Sequence, residues 1–289
     1  MDVAWARPAA LRNVRGRGQG SPMTDTVLIT GATSGIGAEF ARQFAERGCR
    51  LVLVARSVVP LEETAAALRA RWGVDVETIA ADLLDDDGLG RVLARLRAAE
   101  PGSGAGAPAG EGGARAAVTV LVNNAGYGLV RPFADNTLDD EIRHLRIHVE
   151  VPLSLAHAAL QSMRSRRAGT IINVASVAGF TPRGTYGAAK AAMISFSRWA
   201  NLAYGAEGIR VTAVCPGFVH TDFHQRMGAD KGSVPGFLWL DAGRVVREAL
   251  RDTAAGKAVS VPSRRYKALS ALARVAPPSV VARLAARGR

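Results

Sequence analysis

Cysteine is scarce in this 289-residue chain: Cys49 and Cys215 are the only two. A disulfide framework is thereby excluded, so packing must hold the fold together, and a reducing, cytoplasmic setting is the simple expectation. No run of about 18 apolar residues occurs, which leaves no candidate for a membrane-spanning helix. No apolar stretch precedes a cleavage site near the start, so no secretory signal is expected. Aromatics make up 6% of the chain and never interleave with a basic stripe. Nucleic-acid binding is therefore not expected, despite a net charge of +12. Nor do His, Cys, Asp and Glu gather at metal-ligand spacings, and no metal is expected.

The charge is unevenly placed. Residues 1–22 carry Arg7, Arg12, Arg15 and Arg17 against Asp2. Residues 263–289 carry seven cations and no acid, so the 240 residues between are left with only +2. The body is nearly neutral and the ends are basic. The leader 1–22 lacks periodicity and precedes a second methionine, Met23; it is expected to be disordered, an Arg-rich targeting peptide being the alternative. The tail 263–289 reads as short helices broken at Pro277-Pro278. It is expected to dock on its own domain, with peripheral membrane contact or a subunit contact as alternatives.

What is present is alternation. Short β-rich runs at Thr26–Thr30, Arg50–Ala55, Val74–Ala80, Val118–Val122, Thr170–Val174, Arg210–Val214 and Ala258–Val261 are separated by segments of helical spacing. Those helices are expected at Gly35–Arg47, Leu61–Trp72, Gly88–Ala99, Leu138–Arg166, Thr185–Gly205 and Ala242–Ala255, the long fourth one bent near Pro152. Strands alternating with helices imply right-handed crossovers and an α/β fold: a doubly wound, Rossmann-type parallel sheet in three αβα layers, as a single domain over 23–262. Pro101–Ala117 is Gly- and Ala-rich with little apolar bulk and reads as a flexible insertion.

Two strand ends carry features that suit a dinucleotide. Thr30-Gly31-Ala32-Thr33-Ser34-Gly35-Ile36-Gly37 follows the first strand and opens a helix. Glycines permit the tight turn and close approach to a pyrophosphate, and a helix N-terminus favours its charge. The loop from Gly31 through Thr33, Ser34, Gly35 and Ile36 to Gly37 is thus a phosphate-binding candidate. The second strand ends at Ala55-Arg56 with no acid to hold a ribose 2′-hydroxyl. A guanidinium there pairs with a 2′-phosphate, so Arg56 favours NADP(H) over NAD(H). Asp82, after the third strand, can accept from an adenine amino group or cap a helix. Asn123-Asn124-Ala125-Gly126 follows the fourth strand, and the small Ala125 and Gly126 allow a cofactor to lie close.

Chemistry is expected further along. Tyr186 and Lys190 are i and i+4 on one helix face. A phenol of pKa about 10 exchanges protons poorly near neutrality, and a nearby ammonium is expected to lower it. Ser176 ends the strand before that helix and can steady a substrate oxygen while Tyr186 moves the proton.

Taken together, TGATSGIG, NNAG, a strand-ending serine, YGAAK and Cys215-Pro216-Gly217 fall in order at strand ends, and the sequence from about Met23 to Val261 resembles the short-chain dehydrogenase/reductase family. The resemblance implies an oxidoreductase acting on a small-molecule carbonyl or alcohol. It implies pyrophosphate binding by Gly31, Gly35 and Gly37, and a place near the cofactor for Asn123. It also implies a catalytic set of Ser176, Tyr186 and Lys190, and a carboxamide-binding segment of Pro216, Gly217, Val219 and Thr221. It implies a homodimer or homotetramer through the helices 138–166 and 185–205. A non-catalytic scaffold or membrane-associated adaptor on the same fold is the competing reading.

Two departures stand out. The family's asparagine in the long helix is replaced by His148, whose neutral imidazole both donates and accepts and so can serve a proton relay. Ser176 and Tyr186 are ten apart, closer than the family pattern, which shortens the intervening loop and puts the reach of Ser176 in question. Phe218–Leu240 is expected to cover the substrate; Phe218, Phe223, Met227, Phe237, Leu238 and Trp239 suggest a hydrophobic one, with His220 and His224 as polar contacts or surface residues.

Overall fold

The computed structural model describes residues 25–98, 116–221 and 235–275. The leader, most of the 101–117 insertion, the centre of the 218–240 segment and the Pro277-Pro278 break lie outside the described residues. Seven strands form one sheet in the order β3-β2-β1-β4-β5-β6-β7. They are β1 (Thr26–Thr30), β2 (Arg50–Ala55), β3 (Val76–Ala80), β4 (Val120–Asn123), β5 (Gly169–Val174), β6 (Ile209–Val214) and β7 (Val259–Ser260). Every pairing is parallel. All carboxyl ends therefore share one edge. The order reverses between β1 and β4, the switch point where open α/β sheets bind ligands.

The helices α1 (Gly35–Ala45), α2 (Val58–Trp72) and α7 (Ala242–Ala254) cover one face, and α3 (Asp86–Arg97), α4 (Leu138–Leu145), α5 (Val151–Arg166) and α6 (Gly184–Gly205) cover the other. Side chains alternate along each strand, as a pleated sheet requires. Val27 and Ile29 pack with Phe40, Phe44, Leu61 and Val246, whereas Leu28 packs with Val92, Leu96, Leu155 and Met163. Both faces are apolar, which is why the strands read as continuous hydrophobic runs.

The long helix foreseen over 138–166 is interrupted rather than bent at Pro152. A π-turn spans Arg146–Glu150, and the Val151 N–H reaches back five residues to Arg146 O. Proline supplies no N–H and its ring crowds the carbonyl four residues earlier. For Pro152 that carbonyl belongs to His148, so the widened turn falls on the residue that departs from the family pattern.

The tail begins as α8 (Arg264–Val275), which docks on the domain through Tyr266, Ser263 and Ser270, all buried. Among the described residues no helix is long and apolar enough to cross a membrane. Both cysteines are buried and neither is in a disulfide.

Candidate active site

The β1–α1 turn sits at the switch point and is bonded to the β4 loop. Thr30 Oγ1 accepts from the N–H groups of Asn124 (2.9 Å) and Ala125 (3.0 Å), and Asn124 Nδ2 donates to Thr30 O (3.0 Å) and Gly31 O (3.1 Å). Gly31 (φ +65°) and Gly35 (φ +55°) occupy the left-handed region. A Cβ on Gly37 would lie 2.1 Å from Gly31 O, so only glycine lets α1 begin this close to the strand. Helices α3, α4 and α7 are capped by the side chains of Asp85, Thr137 and Asp241. By contrast, Ser34 makes no side-chain cap on α1, whose first turn carries no acid. Its N-terminus thus fits a pyrophosphate. Thr221 lies against Gly35, bringing the segment after β6 onto the same turn.

The other expected cofactor contacts divide. Arg56 is exposed at the carboxyl end of β2 and exerts its charge on Tyr127. Asp82 is half-buried and its Oδ1 accepts from Leu84 N (3.0 Å). It does not cap α3; Asp85 does. Asn123 turns inward rather than toward the cleft: its Nδ2 donates to Asn173 Oδ1 (2.9 Å) and Pro152 O (3.2 Å). Its neighbour Asn124 makes the loop-to-loop bonds, a role the dipeptide did not reveal because both are amides. Ala125 packs on the core, and exposed Gly126 lies against the His148 ring, where a Cβ would come within 2.3 Å of Cε1.

At the end of β5, Ser176 begins a 3₁₀ turn (Val177–Phe180), its Oγ accepting from Ala178 N at 3.1 Å. The Tyr186 and Ser176 hydroxyls are hydrogen-bonded to each other. The short spacing therefore does not cost Ser176 its reach; the tight 3₁₀ turn absorbs it. Lys190 is buried, its Nζ 2.8 Å from Val174 O and over the Tyr186 ring, 5.6 Å from the centroid.

Electrostatics correct one expectation. Burial pushes the Tyr186 phenol up to about 12, against the Ser176 hydrogen bond and the charge of Arg183. Burial also brings Lys190 down to about 8, with Cys215 opposing. The ammonium does not depress the phenol here because it sits over the ring face and donates to a backbone carbonyl. Desolvation moves both groups toward their neutral forms.

Pro216 and Gly217 are fixed by two neighbours. Val177 N donates to Pro216 O (3.0 Å), and the Tyr266 ring fills the space beside Gly217, where a Cβ would fall 1.9 Å from Cζ. The Tyr266 hydroxyl accepts from Phe218 N (3.1 Å) and donates to Leu238 O (2.9 Å). Val219 bridges Leu240, closing both ends of the 218–240 segment. His220 is exposed and stacks on Trp239 at 4.9 Å between centroids. Phe223, His224 and Met227 lie outside the described residues. Tyr266 carried no signal in the sequence, since nothing in its spacing links it to residue 217.

Around the tyrosine stands an aromatic group the sequence only half disclosed. His148 is buried, 5.6 Å from the Tyr186 centroid, and its Nε2 is 2.6 Å from Tyr127 O. His144, one turn earlier, is buried 4.5 Å from His148 and 6.0 Å from Tyr186 between centroids. Burial lowers the basicity of both imidazoles, strongly for His148, and so favours their neutral forms.

Known proteins share the fold and part of the sequence. The profile of the short chain dehydrogenase family matches residues 25–232. A very-long-chain 3-oxoacyl-CoA reductase of Anas platyrhynchos is 31% identical over 67% of this chain, which spans 59% of that protein's length. Sulfoacetaldehyde reductase 2 of Chromohalobacter salexigens is 35% identical, covering 73% of this chain and 79% of that one. A Sphingobium yanoikuyae short-chain dehydrogenase, solved in complex with NADPH, superposes with a TM-score of 0.75 and 35% identity, over 86% of this chain and 92% of its own. The chain belongs to the short-chain dehydrogenase family, as an oxidoreductase acting on CH–OH or C=O groups with a nicotinamide dinucleotide.

Proposed function

We propose that the chain reduces a hydrophobic carbonyl, or oxidises the corresponding alcohol, with NADP(H), and that Tyr186 is the general acid/base. The observation that carries this reading is the Ser176–Tyr186 hydrogen bond beside buried Lys190, at the carboxyl edge of the sheet. The dinucleotide supplies the hydride when bound. Gly31, Thr33, Ser34, Gly35, Ile36 and Gly37 would hold its pyrophosphate, and Pro216, Gly217, Val219 and Thr221 would take its carboxamide end. Arg56 supports the preference for a 2′-phosphate.

Ser176 accepts from Ala178 N, which leaves its own proton to give to the Tyr186 oxygen. In reduction Tyr186 donates its proton to the substrate oxygen, and the phenolate left behind is held by Ser176. A substrate that excludes water strengthens these contacts. Phe218 packs with Trp239, and Phe218 and Leu238 pack on the cluster around Tyr266; these apolar ends of the 218–240 segment support an apolar substrate.

A carbonyl panel followed by NADPH absorbance tests the reading. Tyr186→Phe should lower kcat roughly 100-fold or more. Arg56→Ala should weaken NADPH roughly 10- to 100-fold and leave NADH within about twofold. Turnover unchanged in Tyr186→Phe removes the mechanism, and an unchanged cofactor preference in Arg56→Ala removes the NADP assignment.

A further inference from the structure

Four buried side-chain polar atoms gather in one place: Glu141 Oε2 and His148 Nδ1 have no hydrogen-bond partner among the described residues, and neither His144 ring nitrogen makes a well-formed one, although the Tyr127 backbone lies close enough to act on that ring. Burying polar groups unpaired is unfavourable, and four together mark a place built to pass or bind something polar. Glu141, His144 and His148 follow one another at three and four residues and are 7%, 1% and 3% exposed.

The cluster has two ends. At its inner end the His148 ring stands nearly perpendicular to Tyr186. At its outer end Glu141 Oε1 accepts from Asn136 Nδ2 at 2.7 Å. Asn136 is half-buried within a segment, residues 131–140, whose other members are exposed. A line of titratable groups therefore runs from the reacting tyrosine to solvent along one side of α4 and the π-turn.

The tautomer of His148 follows from its partner. A carbonyl only accepts, so Nε2 carries the hydrogen toward Tyr127 O and Nδ1 presents a lone pair. The titratable groups facing the two imidazoles are Lys190 and Tyr186 on α6, Tyr127 after β4, and Glu141 on α4.

We propose that Glu141, His144 and His148 form a proton conduit that exchanges protons between solvent at Asn136 and the Tyr186–Lys190 pair. It rests on the catalytic reading of Tyr186 given above. In reduction the Tyr186 proton leaves on the substrate oxygen. One proton then enters from water onto the Glu141 carboxylate. His144 takes a proton on one nitrogen and releases one from the other. His148 Nδ1 receives it and gives it to Lys190 and so to the phenolate. The charges are restored but His144 is left in its other tautomer, and a turn of its ring resets it before the next turnover; alcohol oxidation runs the path outward. Ordered water completes the links. The π-turn at Arg146–Glu150 places His148 in line.

The test is stopped flow on the full chain, with NADPH absorbance reporting hydride loss and a pH-indicator dye reporting proton uptake. Wild type should show the two together. In Glu141→Gln and His144→Asn, first-turnover hydride loss should stay within about twofold, because Tyr186 begins protonated. Proton uptake and later turnovers should slow roughly tenfold or more. Wild-type uptake in both variants overturns the conduit, and so does an equal slowing of hydride loss and uptake, the mark of a merely structural role. ¹⁵N NMR of the cofactor-free protein should show His148 protonated on Nε2 alone; protonation on Nδ1 overturns the proposal as well. Absence of NADPH oxidation by wild type defeats the catalytic reading and the conduit with it, whereas turnover with undisturbed uptake in the variants defeats the conduit alone.

Discussion

At the scale of single residues, the site is governed by desolvation. Lys190 and Tyr186 are moved in opposite directions, to about 8 and about 12. Consider the linkage to stability. Unfolded Lys190 holds its proton up to about 10.5 while the folded form loses it near 8, so between these values the unfolded state binds more protons and stability rises with pH. Tyr186 acts in the opposite sense from about 10 to 12, where the folded state keeps the proton longer and stability falls. Urea denaturation of wild type and Lys190→Met should therefore show a stability difference that changes in favour of wild type between pH 8 and 10. A difference independent of pH in that window would show that the lysine is not desolvated. His148 offers a second test at this scale. His148→Asn restores an amide donor and acceptor but cannot carry a proton, so first-turnover hydride loss should stay within about twofold while steady-state kcat falls roughly tenfold, as in His144→Asn; His148→Ala should slow the first turnover as well. Wild-type rates in both variants remove it from the mechanism.

At the scale of elements, the sequence disclosed most of the strands and helices, because both faces of the sheet are covered and period-free apolar runs such as LVLV are distinctive. The proposed catalytic trio was legible for a similar reason: YGAAK sits within one helix, and Ser176 follows the end of one strand by two residues. What stayed hidden depends on contacts between distant segments. Proline at 152 was visible, but its effect appears four residues earlier, as the π-turn that holds His148. His144 gave no sign because a lone histidine at helical spacing reads as an ordinary core residue. Asn123 and Asn124 were indistinguishable until the fold turned one inward and the other to the Thr30 loop. Tyr266 shows the same limit: it lies in the tail, yet its hydroxyl joins Phe218 to Leu238 and its ring packs on Gly217. Tyr266→Phe removes both hydrogen bonds and should cost about 1–3 kcal/mol. Tyr266→Ala also leaves a cavity and should cost about 3–5 kcal/mol. Both should raise the KM for cofactor more than they lower kcat, since they loosen the Pro216-Gly217 wall. Unchanged stability and KM would show that α8 is not coupled to the site.

At the scale of the whole molecule, two surface properties demand explanation. The first is charge: residues 263–289 carry seven cations and no acid, against +2 for residues 23–262. The start of that tail is committed to the domain through Tyr266, and Arg265 donates to Phe237 O in the 218–240 segment. The second is an apolar face. Leu138, Ile142 and Leu145 recur at helical spacing on α4 and are exposed, with Leu153 on α5 and Trp199 and Leu202 on α6. Leu202 is 82% and Leu138 74% exposed, and α4 packs against α6. Scattered apolar residues on a surface need no account, but a stripe along adjoining helices marks an interface. These are the helices through which subunits are expected to meet, and we propose a second copy of the chain as the occupant of this face. Wild type should elute in light-scattering chromatography at a multiple of 30.3 kDa. Leu202→Glu with Trp199→Glu should yield a monomer, since a charge buried at an apolar contact is unfavourable on both copies. The stripe lies on the outer side of the helices that carry His144 and Lys190, so losing the partner should also lower kcat. A wild-type monomer would leave the stripe without an occupant of its own kind, and an unchanged oligomer in the double variant would place the interface elsewhere.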